Sequence, residues 1–197
     1  MSRFIETLCI LNGEIRNLEF HQKRFNQTRY KIWGLTDEIN LKNQISLAEN
    51  QRTGKFKCRI LYAENIESVE ILPYAPRTIH SIKLLENNEI EYRFKSEDRG
   101  AFELMKDSVS EDEIIIVKNG QITDTSYSNL VFFDGENWIT TTSFLLNGTM
   151  RQSLLKSGKI IEEEVNPKDL NRFVSFKLIN AMMDLDESPE LDISIIV

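Results

Sequence analysis

At 197 residues, with 41% hydrophobic and 28% charged content, the chain can bury a core, hiding roughly 70% of its unfolded surface as one large domain or two small ones. A net charge of −7 argues against nucleic acid as the main partner, because a phosphate backbone needs a basic face. It leaves room for a small anionic ligand, which responds to local charge. Cys9 and Cys58 sit in alternating apolar segments and read as buried thiols rather than a disulfide or a metal pair. The opening residues lack a signal-peptide core and no apolar run approaches membrane length, so a cytoplasmic protein that does not engage a membrane is expected.

In chain order, residues 4–11 form an apolar run that ends at Asn12-Gly13, a strong hairpin signal, with 14–17 as the return strand. Leu18, His21, Phe25, Thr28 and Ile32 recur at helical spacing, predicting a helix over 18–33 closed by Gly34. Residues 41–49 read as a second helix. Strands are expected at 56–62, 68–72 and 79–85, then a polar stretch at 86–91. A helix over 98–109 would present Phe102, Leu104 and Met105 as its apolar face. Residues 113–117 read as a buried strand closed by a turn at 118–121. Residues 130–133 pair with 138–141 across Asp134-Gly135. A helix over 150–157 is capped by Gly158, and strands are expected at 174–179 and 193–197. The fold class is α+β. Two domains are expected, at 1–88 and 89–197.

Few residues carry chemistry. Lys95 precedes the 98–109 helix, and an amine there could lose its proton through burial and nearby charge. Asp124 lies in a polar run, Thr123 to Asn129, between two strands; taken alone it is an Asx-turn or cap. Gly148-Thr149-Met150 opens a helix, where backbone amides and the dipole favour an anion. Arg24 shares a helix with His21 and would offer a fork of donors to a phosphate. With His21 and His80 the only histidines, neither a triad nor a zinc centre can be assembled, and no metal is expected. His21 reads as a core histidine hydrogen-bonded to backbone. There is no Walker A spacing at Arg52-Thr53-Gly54-Lys55 and no GxGxxG.

Several segments, in order, resemble the fold-type IV pyridoxal 5'-phosphate (PLP) enzymes, the class IV aminotransferase superfamily. Phe4-Ile5-Glu6-Thr7 is similar to the family's Phe-Glu-Thr strand, and His21-Gln22-Lys23-Arg24-Phe25 to its His-x-x-Arg-Leu helix. Lys95-Ser96-Glu97-Asp98-Arg99 resembles the segment whose lysine carries the cofactor. Asp124 through Asn129 is similar to the Glu-x-x-x-x-Asn-Leu pattern, with aspartate in place of glutamate. Asn147-Gly148-Thr149-Met150-Arg151-Gln152 and Asn180-Ala181-Met182-Met183 most resemble the 4-amino-4-deoxychorismate lyases of that family.

The resemblance implies a two-domain enzyme like D-amino acid aminotransferase, with a small N-terminal α/β domain and a larger mixed β domain. It implies PLP on Lys95, Arg24 at the phosphate and Asp124 at the ring nitrogen. Ser128, Asn129, Gly148, Thr149, Met150 and Asn180 would complete the cofactor site. Arg59 and Tyr92 are candidates for the small-molecule amino substrate. A homodimer is implied as well. Three functions stay open at this point: a lyase yielding 4-aminobenzoate and pyruvate for folate, an aminotransferase for branched-chain or D-amino acids, and a non-catalytic PLP-binding protein.

Overall fold

The computed structural model describes residues 2–197, which group into two compact units. The first comprises Met1–Ala75 and Phe94–Asp98; the second comprises Pro76–Arg93 and Arg99–Val197. The expected division at 88/89, and the polar stretch 86–91 beside it, both fall within the second unit. There Asn87 accepts the N–H groups of Glu89 and Ile90, and Ile90 is buried. The α+β class holds for the whole chain, with several sheets and few helices.

In the first unit, β1 (Phe4–Leu11) turns through Asn12-Gly13 into β2 (Glu14–Ile15). Both turn residues have positive φ, 50° and 82°, which asparagine and glycine tolerate best. Helix α1 (Leu18–Trp33) follows and ends on left-handed Gly34. Strands β3 (Lys55–Tyr62) and β4 (Ile66–Pro73) complete an antiparallel sheet ordered β2-β1-β3-β4. Phe4, Leu8 and Ile10 alternate along β1 and pack with Phe25, Cys58, Ile60 and Tyr62, so one sheet face carries the helix. Arg29, almost wholly buried, donates to the Glu64 and Asp37 carbonyls and to the Asp37 carboxylate, closing the loop after α1.

The predicted helix at 41–49 is replaced by two short 3-10 turns, Leu41–Gln44 and Glu49–Gln51. Leu41 is buried, and Ile45 and Leu47 pack partly buried against the same core from these irregular turns, so their burial does not require a continuous helix. Residues 94–98 return to the first sheet: Phe4 bridges Ser96, the Ile5 N–H donates to the Lys95 carbonyl at 2.9 Å, and the Glu97 N–H donates to the Arg3 carbonyl at 3.0 Å.

The second unit begins with β5 (Ile82–Glu86), three residues later than predicted, and α2 (Gly100–Asp107). On α2, Phe102 is buried while Leu104, two residues and about 200° of rotation further on, is exposed; Leu104 therefore does not belong to the apolar face. Strands β6 (Glu113–Lys118) and β7 (Gln121–Thr125) join β5 in a three-stranded sheet, β5 parallel to β6. Next come β8 (Asn129–Phe133), β9 (Trp138–Thr141), α3 (Thr149–Lys156), β10 (Ile161–Glu163), β11 (Ser175–Ile179) and β12 (Leu191–Asp192). The five-stranded sheet runs β10-β9-β8-β11-β12. The predicted final strand at 193–197 is instead a 3-10 turn over Ile193–Ile195, after which Val197 exchanges backbone hydrogen bonds with Ile82 and Leu84 of β5.

Candidate active site

The first unit assembles a cluster around a buried acid. Glu6 occupies a core-facing position of β1, between Phe4 and Leu8, and its side chain has no exposed surface. His21 and Arg24, three apart on α1, share one helix face and meet it. Arg24 donates through Nε to Oε1 at 2.8 Å and through Nη2 to Oε2 at 2.6 Å. His21 Nδ1 lies 2.6 Å from Oε2. Burial pushes the Glu6 carboxyl up, but the Arg24 charge and hydrogen bond, then His21, prevail and hold it at about 2. Burial lowers His21 below its ordinary value, opposed by Glu6 and assisted by the charges of Arg24 and Lys95. His21 is thus a core histidine, as expected, and its Nδ1 pairs with a carboxylate.

Lys95 lies beside β1 through its carbonyl, and its charge is felt at His21. Arg59, on β3, donates through Nη2 to Glu97 Oε1 at 3.1 Å, which directs it to the segment that carries Lys95. Arg3 holds Glu67 at 2.9 Å and lies 4.0 Å from Glu97.

In the second unit Asp124 lies within β7, not in a loop between strands: Ile122 pairs with Val117 and Thr125 with Ile115 of β6, on either side of a register shift. It is buried. Oδ2 accepts the N–H groups of Leu145 and Leu146 at 3.0 and 2.8 Å, and Oδ1 accepts Asn129 Nδ2 at 2.8 Å. Asn129 Nδ2 also donates to the Leu146 carbonyl at 2.9 Å. Burial still pushes Asp124 up to about 6, against those three hydrogen bonds and the Arg151 charge.

Asn129 also touches the start of α3. A Cβ on Gly148 would stand 2.1 Å from Asn129 Oδ1, so a side chain here would force Asn129 to shift. Gly148 is the N-cap and offers no side chain to the amides of α3, whose first residues Thr149 and Met150 are buried. Gly148→Ala is expected to displace Asn129 and cost about 1–3 kcal/mol. A denaturant midpoint unchanged from wild type would show that Asn129 yields without cost.

Ser128 Oγ and Thr125 Oγ1 share a hydrogen bond at 2.7 Å. Asn180 accepts the Met182 N–H at 2.8 Å and bridges Met183. Tyr92 is 8% exposed and packs edge-on against Phe102 at 4.7 Å, which makes its ring part of the core. Besides Arg29, three buried charges carry no sequence expectation. Glu6 is one. Glu113 accepts the Ser126 N–H at 3.1 Å while Arg99 donates to the Ser126 carbonyl at 2.6 Å, gripping the turn after Asp124 from both sides. Arg151 donates to Asn147 Oδ1 and the Thr141 carbonyl and pairs with Glu162. An acid at a core-facing place in an apolar strand was the available signal for Glu6. Glu113, opening a run of isoleucines, gave a similar one.

These groups fit PLP on an observation of the structure itself. An ionised carboxylate offers about four acceptor positions. Three are filled at Asp124 and its pKa is raised nonetheless, so the site favours a positively charged N–H partner such as a protonated pyridine. The raised pKa also sets a pH dependence. Without a cofactor, folded Asp124 binds its proton more tightly than the unfolded chain, whose ordinary value is 3.8. Its cost is absent below 3.8, grows up to about 6 and is complete above that, on the order of 3 kcal/mol. Denaturant midpoints of the apoprotein should therefore carry a downward component as pH rises through that window. Asp124→Asn should remove this component, and an identical slope in the variant would refute the assignment.

The class of protein is shown by comparison. Residues 3–185 match the model of the amino-transferase class IV family, and the chain belongs to that family, whose cofactor is PLP. An uncharacterized protein of Haemophilus influenzae is 35% identical over 188 residues, covering 94% of this chain and all of that relative. A proposed 4-amino-4-deoxychorismate lyase from Haemophilus somnus 129pt has a crystal structure similar at a TM-score of 0.86 and 31% identity, covering 94% of this chain and 98% of that one. A proposed amino-acid aminotransferase from Mesorhizobium loti shares the fold over the whole of both chains, with a TM-score of 0.82 at 18% identity. Among the described residues no helix is long and apolar enough to cross a membrane.

Proposed function

We propose that this chain is a PLP-dependent lyase that converts 4-amino-4-deoxychorismate to 4-aminobenzoate and pyruvate, a step toward folate. The observation that carries the reading is Asp124: a buried carboxylate, fixed by three N–H donors, beside a helix start where a side chain on Gly148 would displace Asn129. When bound, PLP supplies an electron sink for a carbanion at the amine-bearing carbon. Lys95 would be the amine that holds it and would take the proton from that carbon as general base. Loss of the enolpyruvyl group then aromatises the ring, and that group leaves as pyruvate after gaining a proton, so no further reactant is consumed. Asp124 would keep the ring nitrogen protonated. Arg24, the amides of Thr149 and Met150, and Asn180 would serve the phosphate, while Ser128 and Asn129 support Asp124. Arg59 exchanges Glu97 for a substrate carboxylate.

The lyase assignment, rather than transamination, is supported by the Asn147–Gln152 segment and by the likeness to the Haemophilus somnus protein. The purified protein, reconstituted with PLP, is incubated with aminodeoxychorismate and separately with amino acids plus 2-oxoglutarate. Release of 4-aminobenzoate with pyruvate, and no glutamate, is expected. Glutamate formation would assign an aminotransferase of branched-chain or D-amino acids instead. Visible cofactor absorbance without either reaction would leave a PLP-binding protein. The same reading includes a homodimer, for which sedimentation should give twice the chain mass.

A further inference from the structure

Glu6 has no part in the chemistry above, yet it is the most completely enclosed acid of the first unit. Three N–H donors converge on it: Arg24 Nε at 2.8 Å, Arg24 Nη2 at 2.6 Å and His21 Nδ1 at 2.6 Å. Burying a carboxylate costs several kcal/mol, and an apolar side chain between Phe4 and Leu8 would pack α1 onto the sheet without that cost. Helix docking already rests on Phe25 against Cys58, Ile60 and Tyr62. The ion cluster must therefore be retained for what it does to Arg24.

We propose that Glu6, seconded by His21, is the positioning residue that aims the Arg24 guanidinium at the cofactor's phosphate. The argument is geometric. A guanidinium is planar, and a carboxylate bound side-on to Nε and Nη2 fixes both its plane and its rotation. A phosphate is then met by the end-on pair of N–H groups, already oriented, so little side-chain entropy is lost on binding. His21 makes the grip firm. An ionised carboxylate only accepts hydrogen bonds, so Nδ1 carries the proton, and the ring donates to Oε2 and stops Glu6 from rotating away. Glu6 remains charged across the working range, since Arg24 and His21 hold it at about 2.

The inference rests on the proposed PLP function, and the test separates the two. Apoprotein is titrated with PLP and with pyridoxal, which lacks the phosphate, in wild type, Glu6→Gln and Glu6→Asp, with the thermal midpoint as a control of folding. Wild type should prefer PLP. Glu6→Gln should weaken PLP binding about tenfold or more, within the range for losing one oriented charged contact, and leave pyridoxal binding unchanged. Glu6→Asp keeps the charge but draws it one methylene back, and it should lose part of the preference; if Glu6→Gln does not fold, this variant decides. Equal losses for both ligands, or no loss for PLP, would overturn the role of Glu6. A wild type that binds both ligands alike would instead overturn the phosphate role of Arg24 and the functional reading with it.

Discussion

Replacing Lys95 with alanine is expected to abolish the visible absorbance of the bound cofactor and to lower turnover by at least about a thousandfold, because the variant loses both the nucleophilic amine and the general base. Two cations beside the segment, Arg3 and Arg59, are guanidiniums rather than amines and are engaged by Glu67 and Glu97. The fold should survive, since residue 95 joins β1 through its backbone carbonyl, which alanine keeps. Borohydride treatment of the PLP-loaded wild type, followed by peptide mapping, should find the cofactor on the peptide containing Lys95. Finding it on another lysine, or turnover close to wild type in Lys95→Ala, would remove Lys95 from the mechanism.

The second large effect is expected at Asp124. Asp124→Asn should keep PLP bound but cut turnover by about 10²–10⁴-fold, as befits the loss of a buried, oriented charge that acts on the transition state. The amide oxygen can still accept the Leu145 and Leu146 N–H groups, but its NH₂ would oppose Asn129 Nδ2. Asn129 must then turn over and release the Leu146 carbonyl, so a modest loss of stability accompanies the loss of rate. Asp124→Glu restores the charge at the expense of one methylene of crowding, and it should retain far more activity than Asp124→Asn. Similar rates for the two variants would mean that the charge itself is not what matters at this position.

Much of this protein is written in local pattern. Alternation in Phe4–Leu11, the Asn12-Gly13 turn, the helical spacing from Leu18 and the Gly34 stop are properties of adjacent residues, and the elements form where those patterns place them. At 41–49 and 193–197 the predicted helix and strand did not form, and 3-10 turns stand there instead. Family membership was legible for a related reason: short segments around Lys95, Asp124 and Gly148 resemble the family's in composition and order.

What only tertiary structure decided is the surroundings of those residues. Two of the three donors that hold Asp124 come from 21 and 22 positions away, and the acid that holds Arg24 comes from 18 positions away. A carboxylate's pKa depends on how much water folding removes and which N–H groups replace it. That balance drives Glu6 down and Asp124 up although both are acids on strands, and no window of sequence contains it.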